Sequence, residues 1–347
     1  MKSINTALCS FGMSGHLFHA PFIDINPKFN LYGVLERTKN VCQEKYPSVK
    51  TFRSLNDLLA DEAIELVIIN TPNITHYPFA KKIINAGKHL IVEKPFTATV
   101  AEAEELIELA AKKNVHLSVY HNRRYDSDFK TVQKIVNEGV LGDLVDVEIH
   151  YDRFEPGLSY KTHKENPTEA VGSLYDLGSH LIDQALQLFG MPKAVFANLD
   201  RFRNDSKVGD YFDVKLYYNH FYVNLKSSYF VRESLPGYIL HGKKGSFIKT
   251  KSDIQEAALQ KEVKPNTENW GLEPLSEKGL LHTIIDGEIV KKQITSEKGD
   301  YMHYYNAIFE TLRNNKPVPI SGKEAMQVIQ VIEAAIQSNS EKKVIHL

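Results

Sequence analysis

The fold is decided by the stretch Ile4-Asn5-Thr6-Ala7-Leu8-Cys9-Ser10-Phe11-Gly12-Met13-Ser14-Gly15, which predicts a short strand, a tight turn and the start of a helix. Gly12 lets the backbone approach a pyrophosphate closely, and Gly15 lets the helix pack tightly on the strand. The unpaired N–H groups at the beginning of the helix attract the same anion. Ser10 stands where a G-x-G-x-x-G turn has its first glycine, and plain strand-to-helix turns share this pattern. The stretch predicts a dinucleotide site formed by Gly12, Met13, Ser14 and Gly15.

A second strand-like run ends in an acidic residue. Glu36 lies about 20 residues beyond the glycine turn, where a dinucleotide fold has its ribose-binding acid. Arg37 and Thr38 follow directly, and a guanidinium with a hydroxyl can bind a 2′-phosphate instead. We expect nucleotide contacts from these three residues, and the choice between NAD and NADP stays open. The alternative is that they begin a solvated loop.

Composition limits the class of protein. The 347 residues exceed one ordinary core and predict two domains. The formal net charge is −1, and no basic stripe indicates a nucleic-acid partner. No apolar run approaches the ~20 residues of a membrane span, and no export signal precedes the glycine turn, so we expect a cytoplasmic protein without a membrane partner. Cys9 and Cys42 are the only cysteines, which indicates neither a disulfide framework nor a metal site.

The chain changes character near its first third. Up to about residue 121, short β-branched runs alternate with amphipathic runs, which predicts βαβ units on a parallel sheet. Right-handed crossovers place the loops after the strands along one edge, where ligands of open α/β sheets bind. These loops begin at Ser10, Glu36, Thr71, Glu93 and His121. We expect a Rossmann domain over residues 1–121, and an α+β domain with a large open, mainly antiparallel sheet over residues 122–347.

Aromatic residues are concentrated in the strands of the second half. Six of them are predicted to load one face of the second sheet: Tyr217, Tyr218, Phe221, Tyr222, Tyr229 and Phe230. An aromatic face of this size needs a cover, so we expect a homodimer or homotetramer formed through this sheet. The stretch from Gln255 to Gly279 holds the only tryptophan, Trp270, among scattered Pro and Gly residues. We expect this stretch to be a long surface insertion.

Three loops at the predicted edge carry side chains suited to chemistry or to nucleotide binding. Glu93-Lys94-Pro95 ends a parallel strand, and a lysine in a closed site can exchange a proton with a substrate hydroxyl. The alternative is a surface lysine at a strand end. The neighbouring loops offer cofactor-binding groups from Thr71, Asn73, His76 and Asn122. Arg123 and Arg124 follow, and they bind substrate or form salt bridges between the domains.

A second constellation opens a predicted amphipathic helix within residues 172–184. Asp176 and His180 lie four residues apart, a spacing that places both on one helical face. The carboxylate can then orient the imidazole, or both can bind a ligand hydroxyl. Alternatively, Asp176 caps the helix, or it joins His180, Asp183 and His163 in a metal site, for which the spacing gives little support. We expect no metal.

Together these motifs resemble the Gfo/Idh/MocA oxidoreductase family, the group of glucose-fructose oxidoreductase and inositol dehydrogenase. The resemblance covers nearly the whole chain. Its most specific parts are Phe11-Gly12-Met13-Ser14-Gly15, His19-Ala20-Pro21, Thr71-Pro72-Asn73, Glu93-Lys94-Pro95 and Tyr175-Asp176-Leu177-Gly178-Ser179-His180-Leu181-Ile182-Asp183-Gln184. Within the family, residues 120–126, residues 188–195 and the segment at Trp270-Gly271 are most similar to the branch of NADP-dependent scyllo-inositol 2-dehydrogenases.

The resemblance implies a dehydrogenase that transfers hydride between NAD or NADP and a secondary alcohol of a cyclic polyol or sugar. It implies that Lys94 and His180 handle the hydroxyl proton, with Asp176 orienting the substrate. It also implies that Glu93 contacts the nicotinamide ribose. Substrate contacts are expected from Lys94, Arg123, Tyr151, His163, Asp176 and His180. The alternatives are an aldose, anhydro-sugar or dihydrodiol dehydrogenase, and a non-catalytic NAD(P) sensor.

Two positions depart from the inositol branch. Glu36 stands where a smaller residue would better admit a 2′-phosphate. The segment Tyr160-Lys161-Thr162-His163-Lys164 lacks the expected tryptophan and arginine, and we expect His163 to line the pocket in their place. The sequence therefore leaves the cofactor phosphate and the substrate open.

Overall fold

The computed structural model describes residues 2–159 and 161–347, without the side chains of residues 162 and 163. The chain forms two compact units. The first contains residues 1–122, 255–270 and 300–326, and the second contains residues 123–254, 271–299 and 327–347. The chain therefore returns twice to the first unit after leaving it. None of the helices among the described residues has both the length and the apolar character needed to cross a bilayer.

The sheet of the first unit is parallel throughout its described residues. Its strands are β1 Ile4–Leu8, β2 Phe29–Leu35, β3 Lys50–Phe52, β4 Leu66–Ile69, β5 His89–Glu93 and β6 Leu117–Tyr120. They lie in the order β3-β2-β1-β4-β5-β6, which is the order of a dinucleotide-binding Rossmann sheet. Val67, Ile68, Ile91 and Val92 have no exposed surface, as expected for strands covered on both faces. The prediction of a Rossmann sheet is confirmed.

The helices differ in length and place. They are α1 Ala20–Ile25, α2 Val41–Lys45, α3 Leu55–Ala60, α4 His76–Asn85, α5 Val100–Lys112, α6 Ser127–Asn137, α7 Thr162–Glu165, α8 Ser179–Phe189, α9 Gln255–Gln260, α10 Met302–Asn314 and α11 Gly322–Glu341. Two of them are preceded by one turn of π-helix, Gly15–His19 before α1 and Leu174–Gly178 before α8. The sequence predicts ordinary helix starts at both places, so the wider turns are a finding of the structure.

The segment around Trp270 corrects an expectation. Residues 255–270 belong to the first compact unit, and only 3% of the Trp270 surface is exposed. Its indole N–H donates to Gln255 Oε1 at 3.2 Å, and its ring meets Phe22 edge-on. Gln255 also accepts from the backbone N–H of Tyr301 at 2.8 Å. The predicted surface position fits most of residues 260–269, which are exposed, but it is wrong for Gln255 and Trp270, which are buried and anchor the segment to the first unit.

The second unit is built on a mixed sheet that is mostly antiparallel. Its described strands are β7 Leu144–His150, β8 Ala194–Asp200, β9 Tyr211–Tyr217, β10 Tyr222–Ser228, β11 Tyr238–Gly242, β12 Gly245–Lys249, β13 Gly279–Ile285, β14 Glu288–Ile294 and β15 Ile345–His346. They lie in the order β14-β13-β12-β11-β7-β10-β9-β8-β15. β7 and β10 are parallel, and the other neighbours are antiparallel. The predicted large, mainly antiparallel sheet is confirmed.

The two faces of this sheet differ in chemistry. One face is fully buried through Val147, Ile149, Phe212, Val214, Leu216, Val223 and Leu225. α8 packs against β10 on this face. The opposite face carries charged and polar side chains such as Asp213, Lys215, Asn224 and Lys226. Strand alternation therefore separates an aliphatic interior from a polar exterior.

The predicted aromatic face is wrong. Tyr217 and Tyr222 form an edge-to-face pair on the polar side of the sheet, with ring centroids 5.4 Å apart. The other four residues lie outside the strands: Tyr218, Phe221, Tyr229 and Phe230. The run interpreted as one alternating stretch is two strands joined by a turn. Alternation along the sequence does not continue through such a turn, so the aromatics do not share a face.

Candidate active site

The glycine turn leaves β1 and enters the π-helical turn Gly15–His19. The Gly12 N–H donates to Ser10 Oγ at 3.1 Å, so Ser10 fixes the turn from the position of the missing first glycine. A Cβ on Gly15 would lie 2.4 Å from the Ser10 carbonyl oxygen and 2.7 Å from Asn70 Nδ2. Gly15 is therefore required by close approach. Gly12 and Met13 are exposed beside it.

Asn70 supports this turn from the end of β4. Its Nδ2 donates to the Ser10 carbonyl oxygen at 2.8 Å, and 7% of the residue is exposed. Its Oδ1 is buried and has no hydrogen-bond partner within the described part of the chain. A buried acceptor of this kind normally has a partner, so the site offers a hydrogen-bond acceptor to a ligand group. The crowded Gly15 and this acceptor fit the glycine turn to a dinucleotide.

Glu36 directly follows β2, and each oxygen of its carboxylate accepts a backbone N–H group. Oε1 accepts from the N–H of Val41 at 3.2 Å, and Oε2 accepts from the N–H of Cys42 at 3.0 Å. The carboxylate thus caps the first turn of α2. Arg37 and Thr38 are exposed next to it, so the loop offers a guanidinium and a hydroxyl outward and turns its acid inward.

The loops after β4 and β5 are tied together by His76. Its Nδ1 contacts the Pro95 carbonyl oxygen at 2.8 Å, and its Nε2 contacts the Thr71 carbonyl oxygen at 3.0 Å. Burial lowers the pKa of His76 despite these two contacts. The Thr71 hydroxyl bonds to the Thr75 hydroxyl at 2.6 Å. His76 is buried and holds the shape of the edge, whereas Asn73 is half-buried.

Glu93 lies at the centre of a buried network at the end of β5. Its Oε1 accepts from the Ser14 hydroxyl and lies 2.9 Å from His19 Nε2. Its Oε2 accepts from the N–H of Lys94 at 3.2 Å. Burial opposes ionisation of Glu93, but the hydrogen bond and charge of His19, with smaller contributions from Ser14 and Lys94, hold its pKa below the ordinary value. The network joins the glycine turn to the Glu93-Lys94-Pro95 motif.

His19 contacts two side chains within the first unit through its two ring nitrogens. Its Nδ1 lies 2.8 Å from the Tyr305 hydroxyl, which donates to the Phe18 carbonyl oxygen at 2.7 Å. Its Nε2 lies 2.9 Å from Glu93 Oε1. His19 therefore connects the carboxylate beside Lys94 to Tyr305.

Lys94 follows this network in the chain. Its side chain is half-buried, and the Lys94–Pro95 peptide bond is cis. Asn122 is buried at the end of the first unit, after β6. The structure thus brings Ser14, Glu93 and the Lys94 backbone together at one end of the parallel sheet, as the strand order predicts. His19, Tyr305 and Asn70 join them, and the sequence analysis assigned no role to these three.

In the second unit, the predicted pair of Asp176 and His180 is split between two helical forms. Asp176 lies in the π-helical turn, and His180 lies in the first turn of α8. The wider turn removes the simple four-residue face relation of an α-helix. Asp176 caps neither segment, so that alternative is wrong. Its Oδ2 is 2.6 Å from Lys164 Nζ, and His180 is 5% exposed.

The arginines after β6 form ion pairs inside the second unit. Arg124 binds both carboxylate oxygens of Asp183, at 2.6 and 2.9 Å, which differs from the predicted salt bridge between domains. Arg123 lies 3.2 Å from Asp126 and has its guanidinium 5.0 Å from the centre of the Tyr151 ring. Within residues 2–159 and 161–347, no group of three or more His, Cys, Asp or Glu side chains is placed to hold a metal ion. The side chain of His163 lies outside the described residues.

Known proteins of similar sequence cover the whole chain. The family model described as "Oxidoreductase family, NAD-binding Rossmann fold" matches residues 4–121, and "Oxidoreductase family, C-terminal alpha/beta domain" matches residues 133–347. The chain is 39% identical to scyllo-inositol 2-dehydrogenase (NADP(+)) IolW of Bacillus subtilis over all of this chain and 97% of that protein.

Solved structures agree over the same length. A Bacteroides fragilis protein of known structure is 44% identical, with a TM-score of 0.91 and complete coverage of both chains. The structure of YvaA from Bacillus subtilis is 39% identical, with a TM-score of 0.96 over 99% of this chain and 98% of that one. With two family models and full-length relatives in agreement, the chain belongs to the Gfo/Idh/MocA family of NAD(P)-dependent oxidoreductases.

Proposed function

We propose that this protein is a dehydrogenase that transfers hydride between NADP or NAD and a secondary alcohol of a cyclic polyol or sugar, with an inositol as the first candidate. The observation that carries the proposal is the network in which Ser14 of the glycine turn and Lys94 both bond to Glu93. It joins a phosphate-binding turn to a lysine at the strand end. The inositol candidate is supported by the 39% identity to IolW.

The cofactor is held by residues of the first unit. Gly12, Met13, Ser14 and Gly15 accept the pyrophosphate, and the buried Asn70 Oδ1 accepts a hydrogen bond from the ligand. Four further residues at this edge bind the cofactor directly or hold the loops in place: Thr71, Asn73, His76 and Asn122. The chemistry that a bound nicotinamide supplies is hydride transfer.

The proton of the reacting hydroxyl is handled by Lys94, together with His180 of the second unit. Lys94 takes that proton as general base in the direction of alcohol oxidation. Glu93 holds the lysine backbone in place, and its carboxylate also contacts His19 Nε2 at 2.9 Å. Asp176, Arg123, Tyr151 and His163 bind and orient the substrate hydroxyls.

The loop after β2 favours a cofactor that carries a 2′-phosphate. Each oxygen of the Glu36 carboxylate already accepts a backbone N–H group, which stabilises its charge and reduces its repulsion of a nearby phosphate. Arg37 and Thr38 are free to bind a 2′-phosphate at the surface. We therefore propose a preference for NADP. Replacing Arg37 by Ala should lower kcat/KM for NADP by about 10- to 100-fold, while kcat/KM for NAD, measured in parallel, stays nearly constant.

The function is tested by a steady-state assay of the purified protein with NAD and NADP against inositol isomers and aldoses. We expect formation of reduced cofactor with at least one cyclic polyol. Tight cofactor binding without turnover of any polyol, aldose or dihydrodiol would instead identify a sensor. An equal preference for NAD and NADP in wild-type protein would overturn the assignment of Arg37.

The organisation of the chain follows the same division. We propose that residues 1–121 carry the cofactor site and residues 122–347 the substrate site, with residues 255–270 and 300–326 completing the first compact unit. We further propose a homodimer or homotetramer formed through the polar face of the second sheet, where 44% of Tyr222 is exposed. Sedimentation velocity of wild type and Tyr222→Glu tests this, since a buried charge at the interface should release monomers.

A further inference from the structure

The ring of Tyr151, in the second unit, is approached by three cations. Arg123 has its guanidinium carbon 5.0 Å from the ring centre, Arg153 lies at 5.4 Å and Lys251 Nζ lies at 4.7 Å. All three distances are within the range of cation–π attraction. We call these four residues the Tyr151 cluster. Like charges repel, so gathering three of them around one ring needs a compensating negative charge.

Two members of the cluster have no close carboxylate among the described residues. The nearest ion pair of Arg153 is with Glu155, at 3.6 Å, and that carboxylate side chain is 58% exposed. The polar contact of Lys251 Nζ is the hydroxyl of Tyr238, at 3.4 Å. Both distances exceed the ~2.7–2.9 Å of a charge-assisted hydrogen bond.

Other cations of the same unit are paired closely. Lys249 Nζ lies 2.7 Å from Glu273, Arg124 lies 2.6 Å from Asp183 and Arg203 lies 2.9 Å from Glu165. These pairs show how the fold treats a buried positive charge, in line with the general rule that such charges have partners. Arg153, whose side chain is 31% exposed, and the half-buried Lys251 are not paired in this way.

The acids behind the cluster are engaged by other groups. Asp128 accepts from the backbone N–H groups of Ser252 at 2.8 Å and of Asp253 at 3.2 Å. Asp253 accepts from the N–H of Ser127 at 2.9 Å. Burial, and then the neighbouring charge of Asp253, raise the pKa of Asp126 well above its ordinary value. These carboxylates therefore balance only part of the positive charge of the Tyr151 cluster.

The cluster adjoins the proposed substrate residue Asp176. Burial opposes the charge of Arg153, but the charges of Tyr151 and Tyr229, followed by that of Asp176, raise its pKa. Arg153 also lies 6.0 Å from the ring centre of Tyr229, and Asp176 acts on Tyr229 as well. An anion bound at Arg153 and Lys251 would thus lie beside the carboxylate that orients the reacting alcohol.

We propose that the Tyr151 cluster is an anion subsite and that the substrate is a cyclic polyol or sugar bearing a phosphate or carboxylate group. This rests on the proposed function and narrows its substrate class. Arg153 and Lys251 bind the anionic group, while the Tyr151 ring supports both cations from one side. Asp176 binds a hydroxyl of the same molecule. The subsite determines specificity and takes no part in the transfer of hydride or proton.

The test compares anionic and neutral substrates of matched shape. The full-length protein is assayed with inositol and inositol monophosphate, and with glucose, glucose 6-phosphate and glucuronate, so that phosphate and carboxylate are separate arms. We expect at least one anionic compound to exceed its neutral partner tenfold or more in kcat/KM. Arg153→Gln and Lys251→Gln should each lower that advantage by about tenfold or more. Each should change kcat/KM for the neutral substrate less than threefold.

Control variants separate charge from packing. Lys243→Gln removes an exposed lysine of the same unit, paired with Asp143 at 2.9 Å, and should leave the ratio of anionic to neutral kcat/KM unchanged. Arg153→Lys and Lys251→Arg retain the charge and should keep most of the preference. Circular dichroism of each variant shows whether it is folded.

Equilibrium binding keeps this inference distinct from the proposed function. Isothermal titration calorimetry with the same compounds measures binding whether or not turnover occurs. Anion binding that depends on Arg153 and Lys251, without turnover, would overturn the dehydrogenase and leave the subsite standing. Efficient turnover of neutral polyols, with no gain from phosphate or carboxylate in rate or affinity, would overturn the subsite and leave the dehydrogenase standing.

Discussion

Two carboxylates of the proposed site, Glu93 in the first unit and Asp176 in the second, are held in different ways. Glu93 is 14% exposed and is bonded by Ser14, His19 and the Lys94 N–H, from separate parts of the chain. Asp176 is 27% exposed and pairs with a lysine only 12 residues away, whose side chain is 39% exposed.

The difference assigns separate tasks to the two regions. A buried network has one low-energy arrangement and resists displacement, which suits a cofactor that occupies the same position in every turnover. An exposed ion pair is weak and is easily rearranged by a ligand, which suits a substrate that must enter and leave. The first region is therefore preorganised, and the second adapts to its ligand.

The largest expected effect comes from Lys94→Ala. Loss of a positioned general base should lower kcat by about 100-fold or more, whereas the cofactor dissociation constant should change little. Steady-state kinetics and fluorescence titration with reduced cofactor measure the two quantities. If the variant keeps more than about a tenth of the activity, another group handles the proton, and the network around Glu93 serves structure alone.

The next effect concerns the preorganised turn. Gly15→Ala places a Cβ 2.4 Å from the Ser10 carbonyl oxygen, so the turn must move. We expect a loss of about 1–3 kcal/mol in the free energy of unfolding and a marked weakening of cofactor binding. Gly12→Ala is the matched control for stability, since its Cβ meets only Ser10 Oγ at 3.4 Å. Equal destabilisation of the two variants in urea titrations would contradict the tight fit at Gly15.

His19→Gln tests the buried network through its pH dependence. The pKa of Glu93 is lowered in the folded state, chiefly by His19 against the opposing effect of burial. A lowered pKa contributes stability above the ordinary glutamate pKa of 4.5, and this contribution is lost as the pH falls through the folded value. We expect the variant to lose about 1–3 kcal/mol at pH 7, with a smaller deficit below about pH 4.

The control for this prediction is His116→Gln. His116 lies just before β6, at the opposite end of the parallel sheet, and burial lowers its pKa. Wild type loses stability as the pH falls below the ordinary histidine pKa of 6.5, because the buried imidazole resists protonation, and the glutamine variant does not. The deficit of His116→Gln should therefore shrink already below about pH 6.5, whereas that of His19→Gln should persist until the pH falls below the ordinary glutamate pKa of 4.5. Unfolding in urea, measured from about pH 3 to about pH 8 so that it spans both pKa values, gives both curves. Parallel curves for the two variants would show that Glu93 does not depend on His19.

Local features of the sequence were enough to predict most of the first unit. Strand patterns and the glycine turn gave the Rossmann sheet, which the structure and the family models confirm. The ligand edge at Glu93-Lys94-Pro95 stays a prediction. The roles of His19 and Tyr305 were missed because their contact spans 286 residues, and no local pattern encodes such a distance. His19 lay in a quoted motif without an assigned role.

Other predictions differ from the structure because the fold supplies interactions that the sequence pattern does not show. Glu36 stood at the predicted place, but the nearby N–H groups of Val41 and Cys42 occupy its carboxylate. The π-helical turn at Asp176 changes the spacing on which the predicted pair depended. Trp270 is buried by contacts with Gln255 and Phe22 that its polar surroundings conceal. In each case the decisive interaction depends on the tertiary fold.

The smallest expected effect concerns Asp176, the more exposed of the two carboxylates. Lys164→Gln removes the partner of Asp176, and because the pair is partly exposed we expect less than about 1 kcal/mol of lost stability. Lys134→Gln breaks an exposed ion pair with Glu297, in which the nitrogen and oxygen lie 2.7 Å apart. It should cost a similar amount of stability. Only Lys164→Gln should change the substrate KM, by about two- to fivefold, as Asp176 adjusts. A loss above about 2 kcal/mol for Lys164→Gln would place Asp176 in a rigid network like that of Glu93, and the contrast between a fixed and an adaptable carboxylate would fail.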